Sequence, residues 1–299
     1  MAMNQAEKNN LLSRLALFAT TLIWGSSFVI LKNTINEVPT FYVLAIRFTV
    51  AAALMFIFGL KDLKKIDCNY IKGGVIMGVF MFIAYALQTY GLFYTSPGKN
   101  AFLTTTYCVI TPFLYWITAK KKPEINHIVA AGVCLVGVCL VSQVNELSIN
   151  LGDMLTICCG LFFALHILAI NKYVEGRSIA MLTMIQFLTA GLLAWIFGIS
   201  TEPFPTEISS TSIWSLAYLS VMCTAVCYLL QTFGQRYASP SSTALIMTLE
   251  SVFGAIISVS LGYENLTFGV VVGFVMIFAA VILSEAGGGL LRRKKAEII

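Results

Sequence analysis

Charge is scarce in this sequence. Asp, Glu, Lys and Arg make up 11% of its 299 residues, less than half of the roughly 25% found in an ordinary soluble domain. A globular protein of this size could not cover its surface with so little, so the chain is read neither as a soluble enzyme nor as a nucleic-acid binder, despite a formal net charge of +5. Histidine occurs twice. The eight cysteines contain no CxxC pair and no His/Cys cluster with zinc spacing, so no metal site and no cofactor is predicted. Cys108, Cys134, Cys139, Cys158, Cys159, Cys223 and Cys227 lie in apolar segments, and Cys68 lies in a basic loop. Packing between helices accounts for them. No nucleotide-binding motif is present, and no cluster of carboxylates, His pair or nucleophile with its base sits near one interface, so no catalytic residue is predicted.

Apolar residues are what the chain has: 58% of the total. A bilayer core takes about twenty of them per helix, and the sequence supplies ten such segments, near 11–31, 39–60, 70–93, 98–119, 125–143, 152–172, 180–199, 212–236, 240–262 and 266–285. The first is too long for a signal-peptide core and carries no small-residue cleavage site, so it is read as a retained span. The predicted fold class is an all-α membrane protein of ten transmembrane helices, joined by connections too short for a soluble domain.

Lysine and arginine orient the spans. With the N-terminus inside, the cytoplasmic ends hold Lys8, Arg14, Lys61, Lys64, Lys65, Lys72, Lys120, Lys121, Lys122, Lys172, Arg177, Arg236 and the run Arg292-Arg293-Lys294-Lys295; the outside holds Lys32 and Lys99; Arg47 lies within a span. This asymmetry predicts a multi-pass protein with both termini cytoplasmic. The C-terminal basic run reads as an anchor beside anionic lipid.

One phrase occurs twice. Tyr85-Ala-Leu-Gln-Thr-Tyr-Gly-Leu-Phe-Tyr-Thr-Ser-Pro-Gly-Lys-Asn-Ala101 returns 143 residues later as Tyr228-Leu-Leu-Gln-Thr-Phe-Gly-Gln-Arg-Tyr-Ala-Ser-Pro-Ser-Ser-Thr-Ala244. A second stretch, Ala45–Gly59, matches Met184–Gly198 at seven of fifteen positions, and Gly25 and Gly160 align more weakly at a displacement of 135. Five spans separate equivalent points. Five is odd, so the halves, 1–146 and 147–299, thread the bilayer in opposite directions and form an inverted repeat around a central cavity. Ser96-Pro97 and Ser239-Pro240 would be rigid corners on opposite faces.

Polar side chains in a membrane helix point away from lipid. In the fourth span Asn100, Thr104, Tyr107 and Thr111 share one helical face. Adding 143 gives Thr243, Met247, Glu250 and Gly254 on the ninth. Tyr85 and Gln88 in the third span repeat as Tyr228 and Gln231 in the eighth. These faces are expected to meet at a substrate pathway near the midplane, although Gln88 and Gln231 serve equally well as helix–helix glue. Glu250 lies at the centre of its span, where a carboxylate costs on the order of 3 kcal/mol. It should face water, bind a substrate amine, pair with Arg47 or take up a proton. Arg47 could snorkel to an interface or hold a substrate carboxylate; its counterpart is the neutral Gln186. His166 could relay protons or be a hydrogen-bonded structural residue. Trp24, Phe28, Phe162 and Phe163 flank the paired glycines and could line a cavity, but packing is the default for any one of them. The substrate-contacting set is therefore Tyr85, Gln88, Thr104, Tyr107, Phe163, His166, Tyr228, Gln231, Met247 and Glu250, with Glu250, Arg47 and His166 available for charge or proton coupling.

Trp24-Gly25-Ser26-Ser27-Phe28, Arg47-Phe48, Ser96-Pro97 with Thr111-Pro112, and Leu249-Glu250 with Gly262-Tyr-Glu264-Asn-Leu-Thr-Phe-Gly269 resemble EamA-type members of the drug/metabolite transporter superfamily over nearly the whole chain. The resemblance implies ten helices, a cavity formed by spans 1, 3, 4, 6, 8 and 9, and spans 5 and 10 packed toward the back. It also implies export of amino acids, other metabolites or amphiphiles across a bacterial inner membrane. The chain departs from the pattern at Ala119-Lys-Lys-Lys-Pro123, where the family has a Gly-Glu turn. Glu124 and Glu264 sit at helix starts, where a cap or dipole role suffices. The expected activity is alternating-access export of a small organic metabolite by a monomer or weak homodimer in the lipid bilayer, with or without proton exchange. Proton-coupled efflux of drugs or amines is the alternative, and a membrane-embedded enzyme or a channel is the alternative of another class.

Overall fold

Residues that start or stop helices punctuate each apolar segment, and the structure follows that punctuation. The computed structural model describes residues 4–95, 97–120, 122–141, 150–262 and 265–296, without the side chains of 141 and 285–296. Helix α1 (Gln5–Thr34) opens on a capping box in which Asn4 and Glu7 exchange backbone-to-side-chain bonds. α2 is Thr40–Gly59, followed by a 3₁₀ stretch Leu60–Lys65. Asp67 caps α3 (Cys68–Tyr94) by accepting from the Tyr70 N–H at 2.8 Å. α4 (Pro97–Thr104), α5 (Tyr107–Ala119) and α6 (Ile125–Val141) follow. A second capping box, Asn150 with Asp153, opens α7 (Leu151–Tyr173). α8 is Ile179–Thr201, α9 is Ser210–Ser220 and α10 is Cys227–Tyr237. Ser239 caps α11 (Pro240–Met247), with Pro240 in the first turn, where its missing N–H costs nothing. α12 (Leu249–Ser260) and α13 (Phe268–Ala296) complete the chain. No strand occurs among the described residues.

Large apolar side chains lie on the outside: Phe58 is 70% and Ile117 72% exposed. Polar groups lie inside, including Arg47, Gln88, Asn100, Gln186, Gln231 and Glu250. That is the inverse of a soluble protein and suits a bundle solvated by lipid. Among the described residues, eight stretches are long and apolar enough to cross a membrane, counting α4–α5, α9–α10 and α11–α12 as one each. The other two predicted spans form shorter apolar helices, Ile125–Leu140 within α6 and Phe268–Ser284 within α13. Ser96, Glu264 and the 146/147 boundary lie outside the described residues, as do the side chains of the C-terminal basic run.

Helices from the two parts of the chain interleave. α2 packs on α8, and α6 packs on α13. α1 packs on α10 and α12, while α7 packs on α3, α4 and α5. Gly25 and Gly160 sit at close helix crossings. A Cβ on Gly25 would lie 2.8 Å from the Gly254 nitrogen, and one on Gly160 would lie 3.1 Å from the Thr104 oxygen. Any side chain there would push the backbones apart, which gives the weak glycine alignment a packing reason.

Two spans predicted as continuous are interrupted. α4 gives way to α5 at Thr105-Thr106, and α11 to α12 at Thr248. At both places the backbone tightens to i→i−3 bonds, for example Cys108 N to Thr105 O at 2.9 Å and Ser251 N to Thr248 O at 3.1 Å. The Thr105, Thr106 and Thr248 hydroxyls donate to carbonyls three residues back, a competition that loosens the α-helical ladder. Pro112 inside α5 weakens that helix further. A π-helical stretch, Val221–Val226, joins α9 to α10.

Candidate functional site

The two interruptions face one another. Tyr107 is the first residue of α5, and Glu250 is the second of α12. The Tyr107 hydroxyl donates to Glu250 Oε1 at 3.1 Å. On the far side of the same space the Tyr228 hydroxyl donates to the Tyr85 hydroxyl at 3.1 Å. Each pair spans 143 residues, the displacement of the repeated phrase.

Between these pairs lies a narrow cavity of about 30 Å³. Of the predicted residues it is lined by Tyr85, Gln88, Thr104, Tyr107, Phe163, Gln231, Met247, Glu250 and Arg47. Two predicted residues stand behind it. Tyr228 is fully buried against Trp24, with ring centroids 5.2 Å apart, and meets Tyr85 through its hydroxyl. His166 places Nε2 3.0 Å from Gln186 Oε1, so that nitrogen carries the hydrogen, and its ring stands edge-on to Tyr228. The remaining walls are Trp24, Ser27, Phe28, Leu31 and Ile167. Phe162 instead lies tilted against Phe80.

Arg47 does not snorkel. It is 2% exposed, its Nε donates to Thr224 Oγ1 at 3.2 Å, and its guanidinium carbon lies 5.0 Å over the Tyr85 ring. Thr224 is positioned by the π stretch, where its hydroxyl donates to the Leu219 carbonyl five residues back. The Trp24 indole donates to the Cys223 carbonyl in the same stretch at 2.7 Å. A π bulge re-aims side chains in this way and recurs at functional sites. Nothing in the sequence signals it.

Glu250 is 4% exposed and accepts the Tyr107 hydrogen bond. Among the described residues no ion pair joins it to Arg47 or neutralises either group. Gln88 acts as glue and wall at once: its Nε2 donates to Thr104 Oγ1 at 3.1 Å while the residue borders the cavity. Gln231 Oε1 is buried without a partner. Asn100, on the predicted polar face, turns away to bond the Gln88 carbonyl and Thr156. Thr111 bonds back to the Tyr107 carbonyl. The site thus presents one cation, one carboxylate, one orphan acceptor and an aromatic wall to whatever fills it.

The sequence model of the EamA-like transporter family matches residues 11–143 and again residues 150–285. A protein of Archaeoglobus fulgidus named as an uncharacterized transporter is 32% identical over 274 residues, covering 90% of this chain and 85% of its own. The uncharacterized transporter YyaM of Bacillus subtilis is 26% identical over 284 residues, covering 90% and 92%. Protein PecM of Dickeya dadantii is 22% identical and covers 94% of each chain. One crystal structure shares the fold with a TM-score of 0.77, over 94% of this chain and 98% of its own, at 14% identity.

Proposed function

The chain belongs to the EamA-like transporter family, and from that premise we propose that it exports a small zwitterionic metabolite, an amino acid or a related amphiphile, as a secondary-type transporter. The observation that carries this reading is a pair of buried ionisable side chains on one cavity, Arg47 and Glu250, which no ion pair joins among the described residues. Leaving either charge alone in low dielectric is costly. A ligand with a carboxylate and an ammonium group answers both at once. The unpartnered Gln231 oxygen adds an acceptor for an N–H donor. Trp24, Phe28 and Phe163 supply an apolar wall for the rest of the molecule.

The mechanism in this reading is alternating access by two inverted five-helix halves, 1–146 and 147–299, crossing a bacterial inner membrane ten times with both termini cytoplasmic. Under a two-fold relation a residue can touch its own counterpart only beside the axis. Tyr85 with Tyr228, Tyr107 with Glu250, α2 with α8 and α6 with α13 are all counterpart contacts. They support an axis through the cavity, about which the halves would rock. The doubled family match supports the duplication. The unit of function is a monomer or a weak homodimer.

Purified protein in liposomes, supplied with radiolabelled L-amino acids, tests the reading. Saturable flux of at least one of them supports it. Absence of saturable flux for all, non-saturating flux, or chemical conversion without flux contradicts it, the last two pointing to a channel and an enzyme. A second reading, proton-coupled efflux of an amine, draws on Glu250, the only carboxylate on the cavity wall among the described residues. An imposed proton gradient driving amine uptake would favour it.

A further inference from the structure

A second, tighter cavity, of about 10 Å³, lies against the first. Its walls come from α1 (Phe28, Val29), the start of α4 (Pro97, Gly98, Ala101) and the outer part of α12, where Ser251, Gly254, Ala255 and Ser258 follow one another at helical spacing. α1 ends at Thr34, α4 begins at Pro97 and α12 ends at Ser260. All three therefore approach the same end of the bundle, the end bearing the α1–α2 connection. Among the described residues Phe28 alone lines both cavities, and its side chain is buried.

We propose that Phe28 is the barrier between the substrate cavity and its exit, and that the second cavity is the passage to the face bearing the α1–α2 connection. This rests on the transport reading and extends it to a route. The wall on α12 is built from small side chains. The positions 143 residues earlier in α5 are Cys108, Thr111, Pro112 and Tyr115, each larger than its counterpart, so the clearance is specific to this end. Phe163 stands 135 residues after Phe28, the displacement of the paired glycines. It lines the central cavity edge-on to Tyr85 and Tyr107, the matching place for a barrier at the opposite end. A benzyl side chain seals such a junction by filling it and opens it by one χ1 rotation, with no polar bond to break. Gly254 leaves Phe28 the room to move: a Cβ there would sit 4.0 Å from the Phe28 ring and 3.4 Å from the Gly25 oxygen. An alanine would fit, and a leucine would fill the passage.

The test reads access to the cavity and needs no substrate. Met247 lines the central cavity and not the second one. The thiol introduced by Met247→Cys is labelled with a small, charged, membrane-impermeant methanethiosulfonate added to one face of sealed vesicles at a time, with Phe28→Ala alone measuring the background of native cysteines. Adding Phe28→Ala should speed labelling about tenfold, a barrier change of about 1.4 kcal/mol, from the face bearing the α1–α2 connection only. Phe28→Leu, which keeps most of the packing, should give an intermediate rate, and Phe28→Trp should restore the slow one. Gly254→Leu added to Phe28→Ala should slow labelling again. A rate that Phe28→Ala and Phe28→Leu leave unchanged, that rises equally from both faces, or that ignores Gly254→Leu overturns the proposal. Amino-acid flux measured on the same preparations separates this failure from failure of the transport reading.

Discussion

Tyr107 and Glu250 are counterparts that touch. They stand 143 residues apart, as do the two copies of the repeated phrase, and the phenol hydroxyl of one donates to the carboxylate of the other at 3.1 Å. Each starts the second half of an interrupted span. In the proposed inverted repeat these two positions would be counterparts that have diverged into a complementary donor and acceptor.

That pair should behave as a functional unit. Glu250→Gln keeps the shape and removes the charge. It should lower the kcat/KM for an amine-bearing substrate by roughly tenfold or more, the scale of a lost charge-assisted hydrogen bond, or change how flux depends on pH. Tyr107→Phe should lower flux less, and the double variant should lose less than the sum of the two. Liposome flux between about pH 5.5 and 8 reads all three. Unchanged transport by Glu250→Gln at every pH would remove both roles.

The Lys99–Asp153 pair ties the start of α4 to the first turn of α7 at 2.7 Å, with Asp153 2% exposed. Lys99→Ala strands that carboxylate, whose other partner is the Asn150 N–H. The expected loss is about 1–3 kcal/mol, below the usual range for a broken buried pair because Lys99 is itself 20% exposed. Thermal or chemical unfolding in detergent measures it. A midpoint equal to wild type would show that solvent already screens the pair.

Lys120 ends α5 in the left-handed region, with φ 54°. The Ala119-Lys-Lys-Lys-Pro123 sequence therefore places a side chain where a glycine would be free of strain. Lys120→Gly should stabilise the protein by about 1 kcal/mol, and Lys120→Ala should not. Paired unfolding midpoints decide between them.

Glu37 links the α1–α2 connection to the start of α9. Its carboxylate accepts from the Ser209 and Ser212 hydroxyls, each at 2.7 Å. Those bonds hold its carboxyl below the ordinary glutamate value. A carboxyl depressed in the folded state stabilises above its unfolded pKa, about 4.3, and loses that contribution as pH falls through the folded value. The midpoint difference between wild type and Glu37→Gln should therefore be constant near neutrality and shrink below about pH 4.3. A difference that grows on acidification would contradict the assignment.

Much of this architecture was readable in the sequence because membrane helices are specified by coarse quantities: length of apolar run and spacing of polar residues. The cavity wall followed from the same logic, since Tyr85, Gln88, Tyr107, Gln231 and Glu250 are too polar to face lipid. What the sequence concealed is finer. The breaks at Thr105-Thr106 and Thr248 depend on hydroxyls competing for backbone carbonyls, which composition does not reveal. The π stretch that seats Thr224 under Arg47 leaves no periodic trace. Trp24 and Phe28 resemble any other aromatic residues in a chain with 21 Phe; only packing shows which of them face the cavity.

The most direct test of the central claim deletes charges from the ligand. The best-transported L-amino acid is compared with its amide, which lacks the carboxylate, and with its deaminated acid, which lacks the ammonium group, on wild type, Arg47→Met and Glu250→Gln in liposomes. The account predicts saturable flux of the zwitterion on wild type, loss of the preference over the amide in Arg47→Met, and loss of the preference over the deaminated acid in Glu250→Gln. Equal transport of all three compounds by wild type, or preferences that both substitutions leave untouched, would contradict it.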